Sequence, residues 1–175
     1  MIIDKEIVSQ ISRDYVFISG IIDVDAKYFK KRIDEGVQAS NLNYKTNVHG
    51  KHTEWLFFNN DKEFLILLFQ IVDHIETLKI DIQRFSLHSS WGIIENIGDH
   101  TKRHHHEPNY LSGVLYLHAH HQKLYFPDIK QEITPQTGRF AIFSSFLQHH
   151  TKRNLQQKEK YAISFNFRSQ AVEEK

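Results

Sequence analysis

The sequence contains no cysteine, which excludes disulfide crosslinks and thiolate metal sites and leaves histidine and the carboxylates as the strong metal donors. Proline and glycine are scarce, three and seven in 175 residues. No Pro/Gly/Ser-rich linker, internal repeat or low-complexity tract divides the chain. A single domain over 1–175 is expected, large enough to bury roughly 70% of the surface its unfolded chain exposes. Long apolar runs are missing as well. The opening "MIIDKEIVSQ" carries early charges and lacks the apolar core of a signal peptide, and no later stretch could span a bilayer. A cytoplasmic chain with no membrane partner is the expectation. Excess charge of one sign is also absent: the formal net charge is +1, with the basic residues scattered. Nucleic acid is therefore not an expected partner.

Histidine and phenylalanine are abundant, thirteen of each. Many large rings suit sheets packed with aromatic side chains. In "DVDAKYFKKRIDEGV", Asp25 can cap a short surface helix, Tyr28, Phe29 and Ile33 share one face, and Gly36 is the predicted stop. "NNDKEFLILLFQIVDHIETLK" places Phe64, Leu67, Leu68, Ile71, Val72, Ile75 and Leu78 three and four apart, a stripe able to cover a sheet, with Asn60 or Asp61 as its cap. From Arg84 onward come short β-rich runs: "RFSLHSSWGIIENI", "YLSGVLYL", "KLYFPDI", "GRFAIFSSF" and "KYAISFNF". "EWLFF", Glu54 to Phe58, reads as a further buried strand or, as a second reading, a partner surface.

In "KYAISFNF", Tyr161, Ile163, Phe165 and Phe167 fall on one face of a strand and Lys160, Ala162, Ser164 and Asn166 on the other. The first face suits helices packed outside a sheet, and the second a cavity or solvent. The fold class is mainly β with N-terminal helices (α+β), a helical part over about 1–80 packed on an antiparallel β unit over about 84–168. Short strands behind helices suggest a jelly roll or sandwich rather than a parallel sheet.

"HTKRHHHEPNYLSGVLYL" packs four histidines into seven positions before an apolar run. His104 and His106 are two apart, so on an extended backbone both rings leave the same side, with His105 and Glu107 opposite. "SSFLQHHTKR" supplies His149 or His150 far downstream. Two near ligands and one remote one is the arrangement that holds non-haem Fe(II) with open positions. "HAHH", His118 to His121, repeats the spacing but lies where a hairpin turn exposed to solvent is expected. His49, His52, His74, His88 and His100 have no partner at ligand spacing. No Ser or Cys triad and no phosphate-binding glycine loop is present.

"WGIIENIGDHTKRHHHEPNYLSGVLYL" followed by "TGRFAIFSSFLQHHTKRNLQQKEKYAISFNF" resembles the small bacterial and phage branch of the 2-oxoglutarate and Fe(II)-dependent oxygenases. Trp91, Gly98-Asp99, the His-x-His before "SGV", Gly138-Arg139, "SSFLQH" and "ISFNF" carry the likeness over about the last half of the chain. It implies a double-stranded β-helix (jelly roll, cupin-like), with His104, His106 and His149 as ligands of Fe(II), and 2-oxoglutarate and O2 as co-substrates. It also implies oxidative decarboxylation to succinate and CO2 coupled to hydroxylation of an unactivated C–H bond.

Two departures stand out. The wider superfamily mostly uses His-x-Asp or His-x-Glu; a shifted register, His105-x-Glu107, restores a carboxylate but breaks the match to "SGV". The arginine that usually meets the far carboxylate of 2-oxoglutarate is here Lys160, with Ser164 on the same face and Arg139 and Arg153 as fallback cations. Tyr116, on the strand leaving the ligand loop, is either a pocket wall or core filling. Residues around "NYKTNVHGKHTEW" are expected to border the pocket mouth. The substrate, a small molecule or a peptide, is not specified by these residues. Two other readings remain: a cupin-like metal enzyme that does not use 2-oxoglutarate, and a non-catalytic jelly-roll binding or assembly protein.

Overall fold

Side-chain alternation along the last predicted strand sets the architecture. The computed structural model describes residues 13–40, 46–77 and 84–170. Their elements run in the order β1 (Phe17–Ile21), α1 (Ala26–Ala39), β2 (Val48–His49), β3 (Lys51–His52), α2 (Lys62–Thr77), β4 (Phe85–Glu95), β5 (His100–Thr101), β6 (Leu111–Tyr116), β7 (Leu124–Phe126), β8 (Gln131–Ile133), β9 (Arg139–Ser144), β10 (His150–Thr151) and β11 (Lys160–Ser169). A six-stranded sheet has the order β1-β9-β6-β11-β4-β3, a three-stranded sheet the order β10-β7-β8, and β2 pairs with β5. All neighbours are antiparallel. The described residues are thus mainly β with two α-helices, as the sequence pattern predicts.

One row of β11 meets the helices. Tyr161, Ile163, Phe165 and Phe167 share a core with Phe29 and Ile33 of α1 and Phe64, Leu68, Ile71 and Ile75 of α2. The other row faces inward: Lys160, Ala162 and Ser164 line a cavity, while Asn166 bonds Ser112 and Ser89. On this side Val114, Tyr116, Phe143 and Ala162 pack with Leu124, Phe126 and Ile133 of the smaller sheet. Burial of the two apolar layers, at roughly 25 cal/mol per Å² of apolar surface, is what holds helices and sheets together.

Both helix caps follow the sequence. The Tyr28 N–H donates to Asp25 Oδ1 (2.9 Å), and the Phe64 N–H donates to Asp61 Oδ1 (3.1 Å), so Asp61 rather than Asn60 caps α2. Leu67 and Val72 pack at the edge of the α2 stripe; Leu78 lies outside the described residues. Gly36 does not stop α1, which continues to Ala39. Its role is close approach: a Cβ there would lie 2.7 Å from the Phe57 ring and from Thr53 Cγ2.

Three other expectations are corrected. The N-terminal part is not wholly helical, because β1 and β3 form the two edges of the large sheet; both are short, and their period-two signal is correspondingly weak. "EWLFF" is a turn rather than a strand, with Phe57 N bonded to Glu54 O and Asn59 N to Leu56 O. It buries Phe58 and leaves Leu56 at 59% exposure. The segment between β6 and β7 is no hairpin, because the two strands belong to different sheets. His120, expected in solvent, is buried. Its Nε2 bonds Lys158 O (3.0 Å) and its Nδ1 accepts from Gln122 N (3.0 Å), fixing the crossover. Among the described residues, no helix is long and apolar enough to cross a membrane.

Gly92 of β4 lets α1 settle on the sheet, since a Cβ there would lie 2.4 Å from Ile33 Cγ1. Gly92→Val is therefore expected to destabilise the fold by about 1–3 kcal/mol through overpacking. Urea unfolding measures this; an unchanged midpoint would mean that α1 does not press on the sheet at that point.

Candidate functional site

The backbone brings the loop carrying His104 and His106 and the downstream histidines together before any side chain does. His104 and His149 form an isolated antiparallel bridge, with His104 N to His149 O at 3.1 Å and His149 N to His104 O at 2.9 Å. His106 N bonds Ser145 O (2.8 Å), continuing the pairing. Alternation then sends His104 and His106 inward and leaves His105 and Glu107 exposed. One ring nitrogen from each of His104, His106 and His149 lies within 4.8 Å of the other two.

Glu107 instead pairs with Arg13 at 2.8 Å, so the shifted register His105-x-Glu107 does not point at the cavity. His150 faces away and stacks on Tyr125, with ring centroids 5.4 Å apart.

Hydrogen bonds orient the rings. Nδ1 of His104 lies 2.7 Å from Lys102 O, and Nδ1 of His149 lies 3.0 Å from Leu147 O. A carbonyl only accepts, so each Nδ1 carries the proton and each Nε2 presents its lone pair. His149 Nε2 is 3.2 Å from His106 Nε2. Phe126 and Phe143 pack on the His149 ring. Burial, followed by the proximity of the other imidazoles, holds His106 well below the ordinary histidine pKa and pushes His149 down to about 3. Burial also lowers His104, against the opposing effect of its bond to Lys102 O. Three neutral nitrogens converging in a buried place form a donor set for a borderline divalent ion.

The same cavity holds Lys160, Tyr116 and Ser164, the residues singled out for a co-substrate. Tyr116 is both wall and core: it lines the cavity and belongs to the inner apolar cluster. Burial, with a contribution from Glu95, pushes its hydroxyl pKa up. Arg139 and Arg153 are not among the lining residues. Val48, from the segment expected at the mouth, does line the cavity, whereas Asn43, Tyr44 and Lys45 lie outside the described residues.

Sequence reasoning missed Glu95. It sits opposite Lys160 in the β4–β11 register and forms a buried ion pair with it. Glu95 Oε1 also accepts from Thr101 Oγ1 (3.0 Å) and Thr151 Oγ1 (3.3 Å). Parity along β4 carried the signal, since Trp91, Ile93 and Glu95 are two apart and all three line the cavity. Burial lowers the Lys160 pKa, and the Glu95 carboxylate opposes that shift.

Solved structures resemble the fold of this chain over most of their length. The viral collagen prolyl hydroxylase vCPH from Paramecium Bursaria Chlorella virus-1, in its 2-oxoglutarate complex, superposes with a TM-score of 0.67 at 14% identity, covering 89% of this chain and 96% of that one. The chain has the same fold. A Pseudomonas putida prolyl-4-hydroxylase gives a TM-score of 0.65 at 16% identity, covering 89% of this chain and 93% of that one. HygX from Streptomyces hygroscopicus, with nickel and 2-oxoglutarate bound, gives 0.60 at 10% identity, covering 89% and 82%. The sequence matches no protein-family model and no curated protein.

His149→Ala is expected to abolish binding of a divalent ion and His150→Ala to leave it intact, as read by titration calorimetry with Zn(II); the reverse result moves the site by one residue.

The depressed histidine pKa values also set a pH dependence. In the unfolded chain these histidines protonate near pH 6.5, whereas the folded site keeps them neutral to lower pH. Below about pH 6.5 the unfolded state therefore binds more protons, and the metal-free protein loses stability as pH falls, with His149 contributing down to about pH 3. The slope is about 1.4 kcal/mol per pH unit for each histidine within its window. Urea midpoints across this range test the sign. A midpoint that rises on acidification contradicts it.

Proposed function

We propose that the protein is a non-haem Fe(II) and 2-oxoglutarate-dependent dioxygenase of the hydroxylase type, built on a double-stranded β-helix, acting on a small-molecule or peptide substrate. The observation that carries this reading is the convergence of three neutral imidazoles in the same cavity as a buried lysine. Two further features support it: the overall fold, shared with oxygenases of this kind, and the order of the sequence motifs.

His104, His106 and His149 would hold the ferrous ion through nitrogen, in a donor set that fits it and leaves coordination positions free. With 2-oxoglutarate bound, the ion supplies reductive activation of O2, yielding succinate, CO2 and an oxygenated product. The chain itself does the positioning. Lys160 offers its ammonium to the far carboxylate, as a point charge rather than the two-pronged fork of an arginine. Tyr116, whose ring lies 6.0 Å from the Lys160 ammonium, and Ser164, further along β11, line the same cavity. Val114, Leu124 and Phe143 give the cavity apolar walls that exclude water. Trp91 is buried among the lining residues, and its indole N–H has no hydrogen-bond partner among the described residues. That donor is suited to an oxygen atom of a bound molecule.

A second reading, a metal enzyme of the same architecture that uses no keto acid, draws on the pairing of Lys160 with Glu95. Anaerobic visible spectroscopy separates the two. Fe(II) and 2-oxoglutarate together are expected to produce a charge-transfer band absent with either alone, and to release succinate once air is admitted. Fe(II) binding without that band favours the second reading.

A further inference from the structure

The inner end of the cavity carries a charge arrangement that the proposed reaction does not require. Lys160 and Glu95 are both almost fully buried, at 3% and 1% exposure, and each neutralises the other. The two partners are held unequally. The Glu95 carboxylate is fixed by the hydroxyls of Thr101 and Thr151, from β5 and β10. The Thr151 hydroxyl oxygen in turn accepts from Thr101 N (2.8 Å) and Gln122 Nε2 (3.2 Å). Lys160 has the Glu95 ion pair and, at 6.0 Å, the face of the Tyr116 ring. A second carboxylate reaching Lys160 would meet Glu95 still in place. One ammonium would then face two buried carboxylates, an arrangement with net negative charge and incomplete pairing.

We infer that Glu95 is a specificity-determining residue for the inner end of the cavity. It competes with the far carboxylate of a 2-oxo acid for Lys160, and so lowers the preference for a dicarboxylic 2-oxo acid over one with an uncharged tail. This rests on the keto-acid reading of the cavity. Glutamine in its place accepts from the same threonine hydroxyls, offers an amide N–H to an incoming carboxylate, and leaves the Lys160 charge uncompensated until a ligand supplies the counter-charge. The effect belongs to the tail of the ligand, not to the end that meets the histidines.

The test is calorimetric and does not depend on turnover. Zn(II)-loaded protein is titrated with 2-oxoglutarate and with 2-oxopentanoate, which has the same head and number of carbons but an uncharged tail. The wild type is expected to prefer 2-oxoglutarate by less than about tenfold, and Glu95→Gln to raise that preference by about tenfold or more, a difference of about 1.4 kcal/mol. A wild-type preference above tenfold overturns the inference without need of any variant. So does a folded Glu95→Gln protein whose preference rises by less than tenfold. If Zn(II) binds but neither 2-oxo acid does, the keto-acid reading itself fails, and this inference with it.

Discussion

A β-strand sends successive side chains to opposite faces, and the molecule is arranged around that constraint in β11 and its neighbour β4. One row of β11 carries large aromatic and branched residues and is sealed by two helices. The other row carries Lys160, Ala162 and Ser164 and forms a wall of the cavity. A one-residue slip would exchange the rows, placing an ammonium against the helices and three large rings in the cavity. The buried aromatic layer and the polar cavity therefore fix each other's register.

The same alternation assembles the histidines. Pairing of His104 with His149 joins the histidine-rich loop to the segment after β9, and rings two apart follow from the extended backbone. Local carbonyls hold His104 and His149 in the tautomer that frees Nε2. Aromatic packing removes water and keeps the imidazoles neutral. Packing, tautomer and protonation thus depend on the same few contacts, and an ion held there would keep its full double positive charge.

Charge inside the cavity is distributed with economy. Among the described residues, the histidine cluster contains no carboxylate, while a carboxylate lines the same cavity, as Glu95 beside Lys160.

Amphipathic periods determined the helices and the two-faced final strand, because burial of Phe64, Ile71 or Phe165 is written directly in residue spacing. The pairing of His104 with His106 was legible for the same reason. Spacing could not reveal that "EWLFF" turns instead of extending, that Gly36 marks close packing instead of a helix end, or that His120 is buried in a crossover between sheets. Each depends on which elements meet in space. Glu95 is the clearest case. Its inward direction was implied by parity with Trp91 and Ile93, but its meaning came from Lys160, 65 positions away, delivered opposite it by the antiparallel register. The sequence by itself determined which side chains share a face; the tertiary structure alone decided which faces meet, because strand order and register are set by long-range packing that no local pattern encodes.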